Sequence, residues 1–240
     1  MRPLIGTSLK MNLTSSESAA YFDTLRPLVA SLIACDMFVL PPFTSIWVAR
    51  ERLTGSNVAW GGQDVHAEDA GAHTGDVSAP MLADLGCTFV EVGHSERRRD
   101  HGETDDLVAR KVRQVVRHAM TPIMCVGEPA RVSTEAAVDH AVQQARAGLG
   151  TLNREERARA VIAYEPVWAI GEGAAAADPH HIAAVHHALK QVGARVIYGG
   201  SVDPATAGPI LAQPGVDGLF VGRAALDPTR FAAIAGSARG

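Results

Sequence analysis

Short apolar runs alternate with helically spaced segments from one end of the chain to the other. Leu4-Ile5-Gly6-Thr7-Ser8, Met37-Phe38-Val39-Leu40, Val58-Ala59-Trp60-Gly61, Thr88-Phe89-Val90-Glu91, Ile123-Met124-Cys125-Val126, Val161-Ile162-Ala163-Tyr164, Arg195-Val196-Ile197-Tyr198 and Gly218-Leu219-Phe220-Val221 read as eight strands, each buried on both faces. Between them, segments such as Thr104 to His118 and Thr134 to Gly148 carry helical spacing and good helix formers. Asp178-Pro179, Asp203-Pro204 and Asp227-Pro228 each put a capping carboxylate ahead of a proline, the signature of a helix start. Eight strand–helix units in 240 residues fit a single domain, residues 1–240, folded as a closed α/β (β/α)8 barrel. An open sheet of the same elements remains the alternative, because periodicity does not fix closure.

In a barrel of this kind the chemistry lies at the C-terminal ends of the strands. Strand one runs into Ser8-Leu9-Lys10, strand four into Gly93-His94-Ser95-Glu96-Arg97-Arg98, strand six ends at Glu165, strand seven at Gly199-Gly200-Ser201 and strand eight at Gly222-Arg223. The stretch Glu165-Pro166-Val167-Trp168-Ala169-Ile170-Gly171 then leads, through Ala177, to the helix start at Asp178. A connection of twelve residues, apolar and punctuated by glycine, exceeds the roughly 2 to 6 residues usual between strand and helix and reads as an active-site lid.

Proton abstraction beside a carbonyl needs a base, an electrophile to polarise the oxygen and fixed positive charge for the developing enediolate. Glu165, His94 and Lys10 supply these in kind. Ser95-Glu96 looks like the first turn of a helix, whose dipole favours a neutral, donating imidazole at His94. The glycine-rich turns at Gly199-Gly200-Ser201 and Gly222-Arg223, with Gly171 on a third side, suit a phosphate ester approached by backbone N–H groups. The expected substrate is a small phosphorylated hydroxy-carbonyl compound.

Composition narrows the partners. With 47% hydrophobic residues the chain can bury a large core, and a net charge of −4 with no basic stripe disfavours nucleic acid. No apolar run is long enough to span a bilayer and Met1-Arg2-Pro3-Leu4 opens no signal peptide, so a soluble, cytoplasmic protein is expected. Cys35, Cys87 and Cys125 lie far apart and read as reduced core residues. His180-His181 and His186-His187 imitate a metal pair but have no carboxylate or cysteine cluster beside them, and no metal or organic cofactor is expected.

The segments Gly93-His94-Ser95-Glu96-Arg97-Arg98, Ala163-Tyr164-Glu165-Pro166-Val167-Trp168-Ala169-Ile170-Gly171 and Tyr198-Gly199-Gly200-Ser201 resemble the signatures of the triosephosphate isomerase family, with the likeness running over nearly the whole chain. The resemblance implies a TIM barrel in which Glu165 is the base, His94 the electrophile, Lys10 the electrostatic clamp and Glu96 a supporting carboxylate. It implies that Gly171, Ser201 and Gly222 hold phosphate, joined by Gly200 and Arg223. Gly71-Ala72-His73-Thr74-Gly75-Asp76 is similar to the family's interdigitating loop, which implies a homodimer with Thr74 reaching the partner's site. Three departures bear on the substrate. Ser8 stands where the family usually has asparagine, Arg223 follows Gly222 in place of a second glycine, and Phe220 replaces a usual leucine. A hydroxyl at position 8 opens space at the substrate end remote from phosphate, and this set resembles the branch of the family associated with erythritol catabolism. The leading expectation is therefore interconversion of L-erythrulose 1-phosphate and D-erythrulose 4-phosphate. The alternative is the glycolytic triose phosphate reaction, and a non-catalytic sugar-phosphate-binding barrel is a remote third.

Overall fold

The computed structural model describes residues 1–170 and 177–238. Eight strands, β1 (Leu4–Ser8), β2 (Asp36–Leu40), β3 (Val58–Gly62), β4 (Phe89–Val92), β5 (Thr121–Val126), β6 (Val161–Tyr164), β7 (Arg195–Tyr198) and β8 (Gly218–Val221), pair in sequence order, and β1 closes on β8. Every pairing is parallel, so each crossover carries its connection to the outside, and the β1–β8 pairing excludes an open sheet.

Strand alternation divides the apolar residues into two cores. Leu4, Phe38, Leu40, Ile123, Cys125, Val161, Ala163, Ile197 and Phe220 fill the barrel lumen. Their neighbours in sequence, such as Ile5, Val39, Val90, Met124, Ile162 and Tyr164, face the surrounding helices. Phe38 stacks on Phe89 with ring centroids 4.8 Å apart and meets Phe220 at 5.7 Å, closing the middle of the lumen. Burial on both faces holds for most strand positions; Ala59 and Trp60 of β3 are the central exceptions and are half-buried. All three cysteines are free and buried.

Two of the three aspartate–proline helix starts stand where expected. Asp178 and Asp227 cap the helices Pro179–Lys190 and Pro228–Gly236 through backbone N–H groups. Asp203 does not start a helix at Pro204. Its carboxylate accepts the N–H groups of Ala205 and Thr206 at 2.8 and 2.9 Å in a tight turn, and the helix is Ala207–Leu211. The reason is Pro209, which lacks an N–H and fits a short helix best in its first turn. A helix begun at Pro204 would place Pro209 in its second turn. Among the described residues, no helix is long and apolar enough to cross a membrane.

Candidate active site

Lys10 reaches the rim from just beyond β1 with a left-handed backbone, φ 53°. A non-glycine residue there costs about 1 kcal/mol, so the surroundings must hold it. Gln63 does so, donating its side-chain amide to the carbonyl oxygens of Lys10 and Leu40 at 3.0 Å each. The Lys10 ammonium lies 2.7 Å from Glu96 Oε1. Burial alone would lower its pKa, but Glu96, Glu165 and Glu91 more than offset that and raise it, so Lys10 is a fixed cation.

His94 follows a turn at Gly93, whose φ of 68° and closeness to Val108 exclude a side chain. It then serves as the N-cap of the helix Ser95–His101, its Nδ1 accepting the Glu96 N–H at 3.1 Å. An Nδ1 that accepts leaves the ring proton on Nε2. His94 is 6% exposed. Its pKa falls to about 4, through burial first and then the Lys10 charge, so at neutral pH the ring is an uncharged donor. The arginines that follow fasten this turn: Arg98 donates to the Gly93 carbonyl at 2.9 Å, and Arg97 contacts Glu103 and Asp64 at 2.6 and 2.7 Å.

Glu165 extends past β6, its backbone N–H donating to the Val126 carbonyl at 2.8 Å and its side chain 5% exposed. It packs so closely on β7 that a Cβ at position 199 would stand 2.6 Å from Glu165 Cγ, which is why glycine is required there. His94 Nε2 lies 3.3 Å from Glu165 Oε2. That approach is too poorly aligned for a hydrogen bond, and Oε2 has no other donor among the described residues. Burial, and next the charge of Glu91, push the Glu165 carboxyl up to about 8.

Glu91 is the functional residue that sequence reasoning passed over. It sits in β4 two residues after Phe89, and alternation turns it into the lumen beneath the rim, 2% exposed. The Ser8 hydroxyl donates to its Oε2 at 2.7 Å, and the Cys125 thiol lies 3.6 Å from Oε1. Burial raises this carboxyl to about 7 against the pull of the Ser8 bond and of Lys10. The available signal was a lone carboxylate on the inward-facing set of an otherwise apolar strand. Ser8, Lys10, Glu91, His94, Glu165 and Phe220 line one cavity together with Gly222. The His94 tautomer bears on cation binding as well: ligand atoms of Glu91, His94 and Glu165 all lie within 4.8 Å of one another, but the proton on Nε2 occupies the lone pair a metal would need.

Of the predicted phosphate residues, Gly222 lines the same cavity as the three catalytic candidates. Ser201 bonds the Ala169 carbonyl through both its N–H and its hydroxyl, each at 3.0 Å, tying the end of β7 to the segment after β6. Gly200 is buried, while Gly222 and Arg223 are exposed at the start of the 3-10 turn Arg223–Leu226. Gly171 falls outside the described residues, as does half of the predicted lid, residues 171–176. The part of that segment on view is a 3-10 turn, Val167–Ala169. Trp168 Nε1 donates to Glu128 Oε1 at 2.6 Å, and Glu128 also accepts from the Tyr164 hydroxyl at 3.1 Å. His181 joins this cluster 2.8 Å from the Tyr164 hydroxyl, and His186 lies 3.3 Å from the Gly215 carbonyl. His181 thus ties the helix Pro179–Lys190 to β6, and His186 ties it to the connection before β8. Thr74 is exposed, within an exposed stretch over residues 71–76.

Comparison with known proteins agrees with this geometry. The family model described as triosephosphate isomerase matches residues 3–238. The triosephosphate isomerase of Thermus thermophilus is 42% identical over 245 residues, covering 97% of each chain. That of Corynebacterium diphtheriae is 43% identical, covering 98% of this chain and 96% of its own. Among solved structures, the crystal structure of triosephosphate isomerase from Bartonella henselae superposes with a TM-score of 0.86 at 30% identity, covering 100% of both chains.

Proposed function

Because this chain belongs to the triosephosphate isomerase family and is an isomerase, we propose that it interconverts dihydroxyacetone phosphate and D-glyceraldehyde 3-phosphate by proton transfer through an enediolate. The observation that carries the reading is the meeting of a buried carboxylate, a neutral donor imidazole and a fixed ammonium at one rim. Glu165 removes a proton from the carbon beside the carbonyl and returns it to the neighbouring carbon. His94 Nε2–H donates to the oxygen that gains charge, and an imidazole held neutral does this without first having to lose a proton. Lys10 stabilises the enediolate electrostatically, and Glu96 fixes its position. Backbone N–H groups near Gly171, Gly200 and Gly222 receive the phosphate, joined by Ser201 once its N–H leaves the Ala169 carbonyl, with Arg223 adding charge at the mouth. Glu165→Gln keeps the shape and removes the base: kcat should fall by at least about a thousandfold with substrate binding largely kept. Turnover within tenfold of the parent would refute the role.

The tetrulose phosphate reading stands second, and it loses its lead because the named relatives act, by their names, on triose phosphate. What still favours it is position 8. Ser8 presents a hydroxyl backed by the Glu91 carboxylate to the cavity, a pair suited to a further substrate hydroxyl. Comparing kcat/KM for dihydroxyacetone phosphate and L-erythrulose 1-phosphate separates the two; an efficiency at least tenfold higher for the triose supports the first reading, and the reverse order supports the second. The proposal includes a cytoplasmic homodimer in which the exposed loop carrying Thr74 meets the second copy.

A further inference from the structure

Two carboxylates share the lumen below the rim, yet the isomerisation chemistry uses one. Glu91 is buried and, among the described residues, has no cation in direct contact; its hydrogen-bond donors there are the Ser8 hydroxyl at 2.7 Å and the Cys125 thiol at 3.6 Å. Its carboxylate oxygen, the His94 imidazole and the Glu165 carboxylate lie within 4.8 Å of one another. Like charges that close, away from water, disfavour each other's ionisation, so the protons come off the pair in two coupled steps.

We propose that Glu91 is a positioning residue that sets the pH at which Glu165 works as a base, the two carboxyl groups holding one proton between them near neutral pH. The inference rests on the reading of Glu165 as the base. The surrounding groups decide where that proton resides. From β1 and its end, Ser8 donates to Glu91 and Lys10 contributes positive charge; from β5 comes the Cys125 thiol; beyond β4 stand the neutral His94 and the ionised Glu96, itself paired with Lys10; beyond β6 stands Glu165; β7 and β8 bring Gly199 and Phe220, which carry no charge. The Ser8 donor stabilises an ionised Glu91. Glu165, whose Oε2 has no hydrogen-bond donor among the described residues, is left with the shared proton. Burial shifts both carboxyls upward, and at Glu165 the charge of Glu91 is the largest cause after burial.

The test is the acid limb of kcat/KM against pH, which reports ionisations of free enzyme and free substrate. Glu91→Gln removes the neighbouring charge while keeping an acceptor for Ser8. With that charge gone Glu165 loses its proton at lower pH, so the limb should move down by about one unit, toward the substrate phosphate's own ionisation near 6. Activity at pH 6 relative to pH 8 then rises several-fold. Glu91→Asp keeps the charge and should return the limb to within about 0.3 unit of the parent. A Glu91→Gln limb that stays put or moves upward overturns the proposal. Should neither variant fold, 13C NMR of glutamate carboxyls in the unaltered enzyme decides: two-step curves in which each carboxyl registers the other's ionisation support coupling, and independent single-step titrations overturn it. Failure here is distinct from failure of the functional reading, because Glu165→Gln tests the base alone. Loss of turnover in that variant beside an unmoved Glu91→Gln limb would sink only the present inference.

Discussion

At the scale of single residues, the site is a set of carboxyl and imidazole groups whose titration is displaced by burial, and the displacement has a measurable cost. Glu91 binds its proton more tightly folded than unfolded, its carboxyl moving from 4.5 to about 7. A raised acid group adds stability while protonated and loses it as pH rises from the unfolded value through the folded one. Between pH 5 and 8 the native state should therefore lose stability through Glu91, and Glu91→Gln should recover on the order of 2 kcal/mol at pH 8 but little at pH 4. Urea unfolding at the two pH values checks this; equal effects at both would contradict it. His94 runs the other way in sign. Its pKa is depressed to about 4, so the folded state resists protonation and stability contributed by the neutral ring is lost as pH falls from 6.5 toward 4. In 15N NMR His94 should remain neutral, protonated on Nε2, at pH 6, and an imidazolium signal there would contradict the tautomer assigned from its Glu96 contact. Gly199 completes this scale. A methyl group at 199 strikes Glu165 Cγ, so Gly199→Ala should cut kcat at least about tenfold while leaving the fold intact.

At the scale of elements, the rim was legible in the sequence because residue type and strand end coincide. Glu165 before a proline, His94 before a helix-starting Ser-Glu and glycine pairs after β7 all carry their signal locally. What escaped depended on partners distant in sequence. Gln63 supports the Lys10 backbone from 53 residues away, and Glu128 gathers Trp168 and Tyr164 from 40 and 36 residues away. Asp203-Pro204 misled for a local reason, since Pro209 vetoes the helix that the aspartate invites. The segment after β6 is held at its near end by that Glu128 cluster and by Arg131, which stacks 5.0 Å over the Trp168 ring. Trp168→Phe removes one of the donors to Glu128, leaving the Tyr164 hydroxyl, and should destabilise the fold by about 1.5 kcal/mol in urea unfolding. A change below about 0.3 kcal/mol would show that the bond is replaced by solvent.

At the scale of the whole molecule, closure is what brings five strand ends to one mouth. Eight strands with a two-residue period could have been arranged openly, and only the β1–β8 pairing excludes this. The same closure turns Phe38, Phe89 and Phe220 into a plug that separates the site from the opposite end of the barrel. Above that plug lie Glu91, Ser8 and the rim, so a single carboxylate on an inward position acquires consequences that a surface carboxylate lacks. Assembly belongs to this scale too. The proposed dimer predicts a sedimenting species of twice the 25.3 kDa chain mass, and a Thr74→Glu change should shift it toward the monomer. A parent protein that sediments as a monomer at micromolar concentration would contradict the dimer. The central claim, that Glu165 carries hydrogen between adjacent carbons, is tested most directly by running dihydroxyacetone phosphate to product in D2O and reading the aldose by NMR. The parent enzyme should deliver hydrogen to C2 of glyceraldehyde 3-phosphate, as deuterium wherever Glu165 exchanges its proton with solvent before returning it, and Glu165→Gln should yield almost no product, whereas an undiminished Glu165→Gln rate would contradict it.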